Sequence, residues 1–180
     1  MTPREGAPSY DDAFIRGILD EVRVIAMVGA SAKDVRPSHF AMKYLLDKGY
    51  EVVPVNPGQA GGTILGRRVY RSLADIPQAI DMVDIFRGAD AAPGIVAEAL
   101  KLEPRPKAIW MQLGVVSEEA ARLAAAAGLK VVMNRCPKIE YGRLSGEIAW
   151  AGVNTRTLSS KKPVMRPGHQ HWGLRPKGGG

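Results

Sequence analysis

The sequence lacks the features that mark several specialised classes of protein. Its 180 residues include one cysteine, Cys136, so no disulfide can form within the chain. No apolar run approaches the roughly 20 residues of a membrane-spanning helix, and the N-terminal MTPREGAPSYDD has no apolar signal-peptide core. The phosphate-binding motif G-x-x-x-x-G-K-[ST] is also missing. These absences argue against a secreted, a membrane-spanning or a P-loop protein, and they predict a cytoplasmic location.

Acidic residues are absent after Glu147, and this uneven charge predicts how the chain is divided. The net charge is +7, and six basic residues lie beyond residue 155, in a stretch rich in proline and glycine. We therefore predict a domain over residues 11–150, preceded by a flexible segment at 1–10 and followed by a basic tail at 151–180. The domain itself is nearly neutral, which disfavours an extended nucleic-acid-binding surface. A regulator whose basic tail contacts nucleic acid stays open as an alternative.

The chain is organised around the stretch 24–38. Its first part, VIAMV, is a five-residue apolar run, typical of a strand that is covered on both faces of a parallel sheet. Pro37 then opens a helical pattern that ends at Gly49 and places Phe40, Ala41, Tyr44 and Leu45 on one apolar face. A strand, a small-residue loop and a helix N-terminus direct amide groups toward one point, which suits the phosphates of a nucleotide. An ordinary connection between a strand and a helix is the alternative interpretation. The small-residue loop begins with Gly29, Ala30 and Ser31.

The remaining sequence alternates between apolar strands and amphipathic helices. Strands are predicted at 50–55, 81–86, 107–111 and 129–133, with a short edge strand at 67–70. Helices are predicted at about 12–22, about 38–48, from Asp90 to Leu102 and from Ser117 to Gly128. The stretch 58–66, with four glycines, is predicted as a mobile loop, and only one helical turn fits at 73–77. This alternation predicts a single α/β domain with a doubly wound, mostly parallel sheet and helices on both faces.

Ligands of such sheets bind beyond the carboxyl ends of the strands, so the residues that follow each strand predict the site. A classical NAD site would need an acidic residue at the end of the second strand, where Asn56 stands. Basic side chains instead favour a ligand with an extra ribose phosphate, and coenzyme A and NADP both meet this description. The candidate residues, none of them a carboxylate, are Gly29, Ala30, Ser31, Lys33, Arg36, Asn56, Pro57, Phe86, Arg87, Gln112, Leu113 and Arg135.

Several motifs together resemble the small stand-alone CoA-binding proteins, whose Rossmann-like domain is similar to the N-terminal domain of the succinyl-CoA synthetase α-subunit. The motifs run from about residue 12 to residue 144 and are VIAMVGAS, RPSHFAMKYL, YEVVPVNP, ILGRRVYRSLADIP, DIFR, WMQLGV and NRCPKIEYG. The resemblance implies a short edge strand near Arg68–Tyr70 and CoA lying over the strand ends.

The resemblance also assigns roles to the candidate residues. It implies that residues 31–33 and Arg36 meet the phosphates, and that the pairs 56–57, 86–87 and 112–113 line the path of the nucleotide and the pantetheine arm. The histidine that the synthetase phosphorylates belongs to a following domain, for which residues 151–180 are too poor in apolar residues. Ligase chemistry is therefore not implied.

Functions from three classes remain open. The leading hypothesis is a cytosolic protein that binds CoA or an acyl-CoA without catalysis, because the candidate residues include no acid–base pair, metal cluster or activated nucleophile. The alternatives are an NADP-linked oxidoreductase or a detached acyl-CoA ligase subunit, and the regulator with a nucleic-acid-binding tail. Cys136 either forms a mixed disulfide with the CoA thiol or is a small buried apolar residue. The sequence is compatible with a homo-oligomer.

Overall fold

The computed structural model describes residues 8–147, and it shows a parallel sheet between two layers of helices. The helices are α1 (Asp12–Glu21), α2 (Pro37–Asp47), α3 (Ala92–Ala99), α4 (Glu118–Ala126) and α5 (Pro137–Leu144). The strands are β1 (Val24–Val28), β2 (Glu51–Val55), β3 (Thr63–Ile64), β4 (Arg67–Arg68), β5 (Met82–Ile85), β6 (Ala108–Met111) and β7 (Lys130–Val132). Short 3₁₀ turns span Pro57–Gln59 and Leu73–Asp75.

The main sheet has the strand order β2-β1-β5-β6-β7, and all neighbouring strands are parallel. From β1 the chain crosses to β2 on one side and then returns to β5 on the other side. The strand order therefore reverses between β1 and β5, which is the place where doubly wound sheets bind ligands. The predicted single-domain, doubly wound α/β fold is confirmed, and it is Rossmann-like.

Alternating strand residues form two apolar cores, one on each face of the sheet. On one face α1, α2 and α5 pack against the strands, and Ile18, Tyr44 and Trp110 are fully buried there. On the other face α3 and α4 contribute Val96 and Ala124 to the core. Because both faces are covered, the strands of the main sheet are mostly apolar, and Asp84 inside β5 is a buried exception.

The sheet edge beside β2 differs from the prediction. β4 does not extend the main sheet but pairs with β3 in an antiparallel hairpin, and an isolated bridge between Val55 and Tyr70 joins the hairpin region to β2. The glycine-rich stretch 58–66 is not only a loop, since it contains part of a 3₁₀ turn and β3. Backbone hydrogen bonds from Gly61 to Val69 and from Val69 to Gly62 close it into the hairpin.

Two helices differ from the prediction, one in its bounds and one in its existence. α3 begins after Ala91 and ends at Ala99, although Asp90 was the predicted cap and Leu102 the predicted end. Asp90 is turned toward Gly88 instead, where an added Cβ would lie 2.6 Å from Asp90 Oδ1. α5 was not predicted, although Pro137 at its first position is a common helix-start signal.

Phe40 is a third correction. It was predicted on the apolar face of α2 with Ala41, Tyr44 and Leu45, but it is 51% exposed while the other three residues are buried. Phe40 therefore contributes to the surface of α2 rather than to the core.

No helix within residues 8–147 has the length and apolar character needed to cross a membrane. The predicted basic tail and residues 1–7 of the predicted flexible segment lie outside the described residues, so the division into segments stays a prediction.

Candidate functional site

Gly29 determines the geometry at the carboxyl end of β1. Its amide donates to the Val55 carbonyl at 2.9 Å, and its φ of 91° is one that glycine adopts readily. A Cβ at this position would lie 2.8 Å from the Phe86 carbonyl oxygen and 3.0 Å from Arg87 Cδ. The ends of β1 and β5 therefore approach closely, and the Arg87 side chain passes beside Gly29.

Hydrogen bonds hold the loop between β1 and α2 in shape. Ser31 Oγ accepts a hydrogen bond from the Lys33 amide at 3.2 Å, and the Lys33 carbonyl accepts one from the Arg36 amide at 3.1 Å. Gln59, beyond β2, accepts a hydrogen bond from the Ala32 amide at 3.1 Å. Ser31 Oγ is an acceptor in this bond, so its O–H can still donate to a ligand, and the predicted contact of Ser31 with a phosphate stays a prediction.

The loop between β1 and α2 also has backbone amides and basic side chains that a ligand can contact. Within residues 8–147 the amides of Ser31, Asp34 and Val35 make no hydrogen bond. The side chains of Lys33, Arg36 and Arg87 are exposed, and none of the three forms an ion pair in that part of the chain. Free amides and cations around one strand end suit a phosphate group.

Asn56 connects two loops at the carboxyl end of the sheet. Its Nδ2 donates to the Ala30 carbonyl at 2.8 Å, and its Oδ1 accepts from the Gly58 amide at 2.9 Å. The side chain therefore joins the loops that follow β1 and β2. Pro57 is exposed beside it at the start of a 3₁₀ turn. Gln59, which also joins these loops, was missed because no sequence motif distinguishes a glutamine in a glycine-rich stretch.

Gln112 is directed into the protein. It is buried, and its Nε2 lies 2.9 and 3.1 Å from the two carboxyl oxygens of Asp84. Asp84 is fully buried in β5, and this burial raises its pKa to about 8, although the hydrogen bond from Gln112 acts in the opposite direction. The Asp84 carboxyl is therefore mostly protonated at neutral pH. Leu113, the next candidate residue, is 57% exposed after β6.

Arg135 is occupied by contacts within the chain. Its guanidinium donates to the carbonyls of Pro8 and Asn134 at 3.0 and 3.1 Å and lies 5.8 Å from the centre of the Tyr10 ring. Arg135 therefore holds the segment before α1 against the loop after β7. Of its neighbours, Cys136 precedes α5, and burial raises the pKa of the Cys136 thiol to about 11.

The structure connects the candidate residues to different extents. Contacts join Gly29 to residues 86 and 87, and hydrogen bonds join residues 30 and 32 to Asn56 and Gln59. The Gln112 amide donates to the Ile85 carbonyl at 3.2 Å, directly before Phe86, whereas within residues 8–147 no hydrogen bond or ion pair connects Leu113 or Arg135 to these loops. The amides and basic side chains of the joined part suit an anionic ligand, and this part lies where the strand order reverses.

Comparison with known proteins identifies the family. Residues 23–142 match the family model described as a CoA binding domain. The chain belongs to this family. The CoA-binding domain spans all the strands of the main sheet, and its matched residues include every candidate residue at the strand ends.

Relatives of this CoA-binding domain protein are small proteins and a part of a larger enzyme. The uncharacterized protein YneT of Bacillus subtilis is 36% identical over 129 residues, which are 72% of this chain and 93% of YneT. The structure of a hypothetical protein from Pyrococcus horikoshii is 40% identical with a TM-score of 0.70, and the match covers 80% of this chain and 96% of that one. The α subunit of an ADP-forming acetate–CoA ligase of Pyrococcus furiosus is 30% identical over 120 residues, 60% of this chain but 26% of the subunit.

Proposed function

We propose that this protein binds coenzyme A, free or as an acyl-CoA, in the cleft expected beyond the carboxyl ends of β1 and β5, over the loop after Gly29. The observation that carries the proposal is a group of three cations, Lys33, Arg36 and Arg87, around the loop after Gly29. Within the described residues these cations form no ion pair, and three amides of the loop make no hydrogen bond. The pyrophosphate would meet this loop, and the pantetheine arm would continue past Phe86 and Leu113. Membership of the CoA-binding domain family supports CoA as the ligand.

We further propose that the protein holds its ligand in the cytoplasm without reacting with it. Ser31 Oγ accepts a hydrogen bond from Lys33, and the raised pKa of Cys136 keeps that thiol protonated at neutral pH. Both side chains are therefore poor nucleophiles as they stand. The ligase relative supports CoA binding by this domain, while the match covers only 26% of that subunit.

The ligand can be identified by calorimetric titration with CoA, NADPH, NADH and ATP. We expect CoA to bind most tightly, and tighter binding of NADPH would overturn the proposal in favour of an NADP-linked function. The site can be tested with Arg36→Ala and Arg87→Ala. Each should weaken CoA binding by about 10-fold or more, the usual effect of losing one hydrogen bond to a charged group.

Arg23→Ala is the matched control for these variants. Arg23 is exposed and directly precedes β1, so it lies at the opposite end of the same strand, about 20 Å from Gly29. The control removes the same charge and should leave CoA affinity unchanged. Equal affinity in all three variants and the wild type would place CoA elsewhere and refute the assigned site.

A further inference from the structure

A concave surface lies on the outer edge of the sheet, beside the carboxyl end of β2. It is an open pocket of ≈ 460 Å³, and the residues that matter for its chemistry are Ala60, Gly61, Arg68, Tyr70, Arg71 and Asp75. The hairpin of β3 and β4 forms one wall, and the turn that begins at Leu73 forms the other. None of these residues belongs to the site predicted from the sequence.

The pocket is basic and has an aromatic wall. Arg68 and Arg71 are exposed, and neither forms an ion pair with any residue from 8 to 147. The Arg68 guanidinium lies 5.5 Å from the centre of the Tyr70 ring, a cation–π contact that holds it at the pocket wall. The one acidic residue lining the pocket, Asp75, accepts hydrogen bonds from the Ser72 amide and hydroxyl at 3.1 and 2.7 Å.

The pocket and the cleft belong to the same end of the sheet. Gly29 donates to Val55, the last residue of β2, and Val55 is bridged on its other side to Tyr70. Hydrogen bonds from Tyr70 to the Pro54 carbonyl and from Asn56 to the Tyr70 carbonyl, at 3.0 and 2.9 Å, fix this position. Two strand spacings, about 10 Å, therefore separate Gly29 from Tyr70. This distance is of the size of a nucleoside.

We propose that this pocket binds the 3′-phosphoadenosine end of CoA, with Arg68 and Arg71 on the ribose phosphate. CoA carries a pyrophosphate and a separate phosphate on its ribose, and the chain offers two separate groups of unpaired cations at this spacing. The Tyr70 ring supplies a surface on which adenine can stack. This inference rests on the proposed function, because it assumes that CoA occupies the neighbouring cleft.

The test compares CoA with dephospho-CoA, which lacks only the ribose phosphate, by calorimetric titration. The wild type should bind CoA at least about 10-fold more tightly, as expected for a charge-assisted hydrogen bond from arginine. In the double variant Arg68→Gln/Arg71→Gln, CoA affinity should fall to that of dephospho-CoA, while dephospho-CoA affinity stays the same. Arg67→Gln is the matched control, since Arg67 is an exposed residue of the same hairpin but does not line the pocket.

Each outcome separates this inference from the proposed function. The inference is wrong if the wild type binds CoA and dephospho-CoA equally tightly, or if the double variant still binds CoA more tightly. Either result would show that Arg68 and Arg71 do not bind the ribose phosphate. If the wild type binds neither compound, the proposed function itself fails. Binding of dephospho-CoA by the double variant also shows that the variant is folded. A loss of affinity for CoA alone is then due to a lost contact with the ribose phosphate.

Discussion

Replacing Gly29 with alanine should destabilise the protein through two separable effects. The new Cβ would lie 2.8 Å from the Phe86 carbonyl oxygen, a backbone atom that cannot move without displacing the end of β5. The φ of 91° is also unfavourable for any residue with a Cβ. The conformational cost is about 1–2 kcal/mol, and the steric cost of forcing an extra methyl into a packed position is about 1–3 kcal/mol. Together they predict a loss of about 2–5 kcal/mol in the free energy of unfolding.

The two effects can be resolved with other glycines of the same chain. Gly128 has a φ of 83° and nothing within 4 Å of its added Cβ, so Gly128→Ala should show the conformational cost alone. Gly17 lies in α1 with a similarly open environment and no positive φ, so Gly17→Ala should stabilise the protein by about 0.5–1 kcal/mol.

Urea unfolding followed by circular dichroism measures all three variants against the wild type. We expect unfolding free energies in the order Gly17→Ala, wild type, Gly128→Ala and Gly29→Ala, from most to least stable. If Gly29→Ala is no less stable than Gly128→Ala, the ends of β1 and β5 do not approach as closely as described. The geometry given for the site beside Gly29 would then be wrong.

Two further predictions concern buried titratable groups. Burial raises the pKa of Asp84 from 3.8 to about 8, so ionisation of this carboxyl destabilises the folded protein. Below about pH 4 the carboxyl is protonated in both states and nothing is lost. Between about pH 4 and pH 8 the free energy of unfolding falls by about 1.4 kcal/mol per pH unit. Asp84→Asn should therefore gain stability relative to the wild type across this window in urea unfolding at several pH values, and a difference that does not change with pH would contradict the assignment. For Cys136, a pKa raised from 9.0 to about 11 predicts alkylation by iodoacetamide near neutral pH about 100-fold slower than for a thiol of ordinary pKa, with a rate that keeps rising up to about pH 11. If native Cys136 is labelled as fast as in the urea-unfolded protein, its pKa is not raised. A mixed disulfide between Cys136 and CoA would then again be a plausible function of this thiol.

The sequence predicts most of this fold because the central strands β1, β5 and β6 of the main sheet are buried. Runs such as Val24–Val28 are apolar on both faces, and Gly49 and Gly128 end their helices with positive φ as expected. The errors occur where long-range backbone pairing decides the structure. β3 and β4 are two residues long each, and their hairpin depends on hydrogen bonds between Gly61, Gly62 and Val69 that no local pattern reveals.

The candidate site could be predicted in position but not in the direction of each side chain. Residues that follow parallel strands must meet at one end of the sheet, so the strand pattern alone predicts that Gly29 and Arg87 lie close together, as they do. A strand end, however, does not say whether a polar side chain faces solvent or the core. Gln112 turns toward Asp84, whose burial in the middle of an apolar strand becomes visible only when the strands are assembled. Arg135 contacts Pro8, and such a contact between distant residues has no local signal.

The most direct test of the central claim is a crystal structure of the protein with CoA bound. We expect the pyrophosphate within hydrogen-bond distance of the loop amides between Gly29 and α2, with Arg36 and Arg87 around it. CoA bound at another surface, with the cleft beside Gly29 empty, would contradict the account.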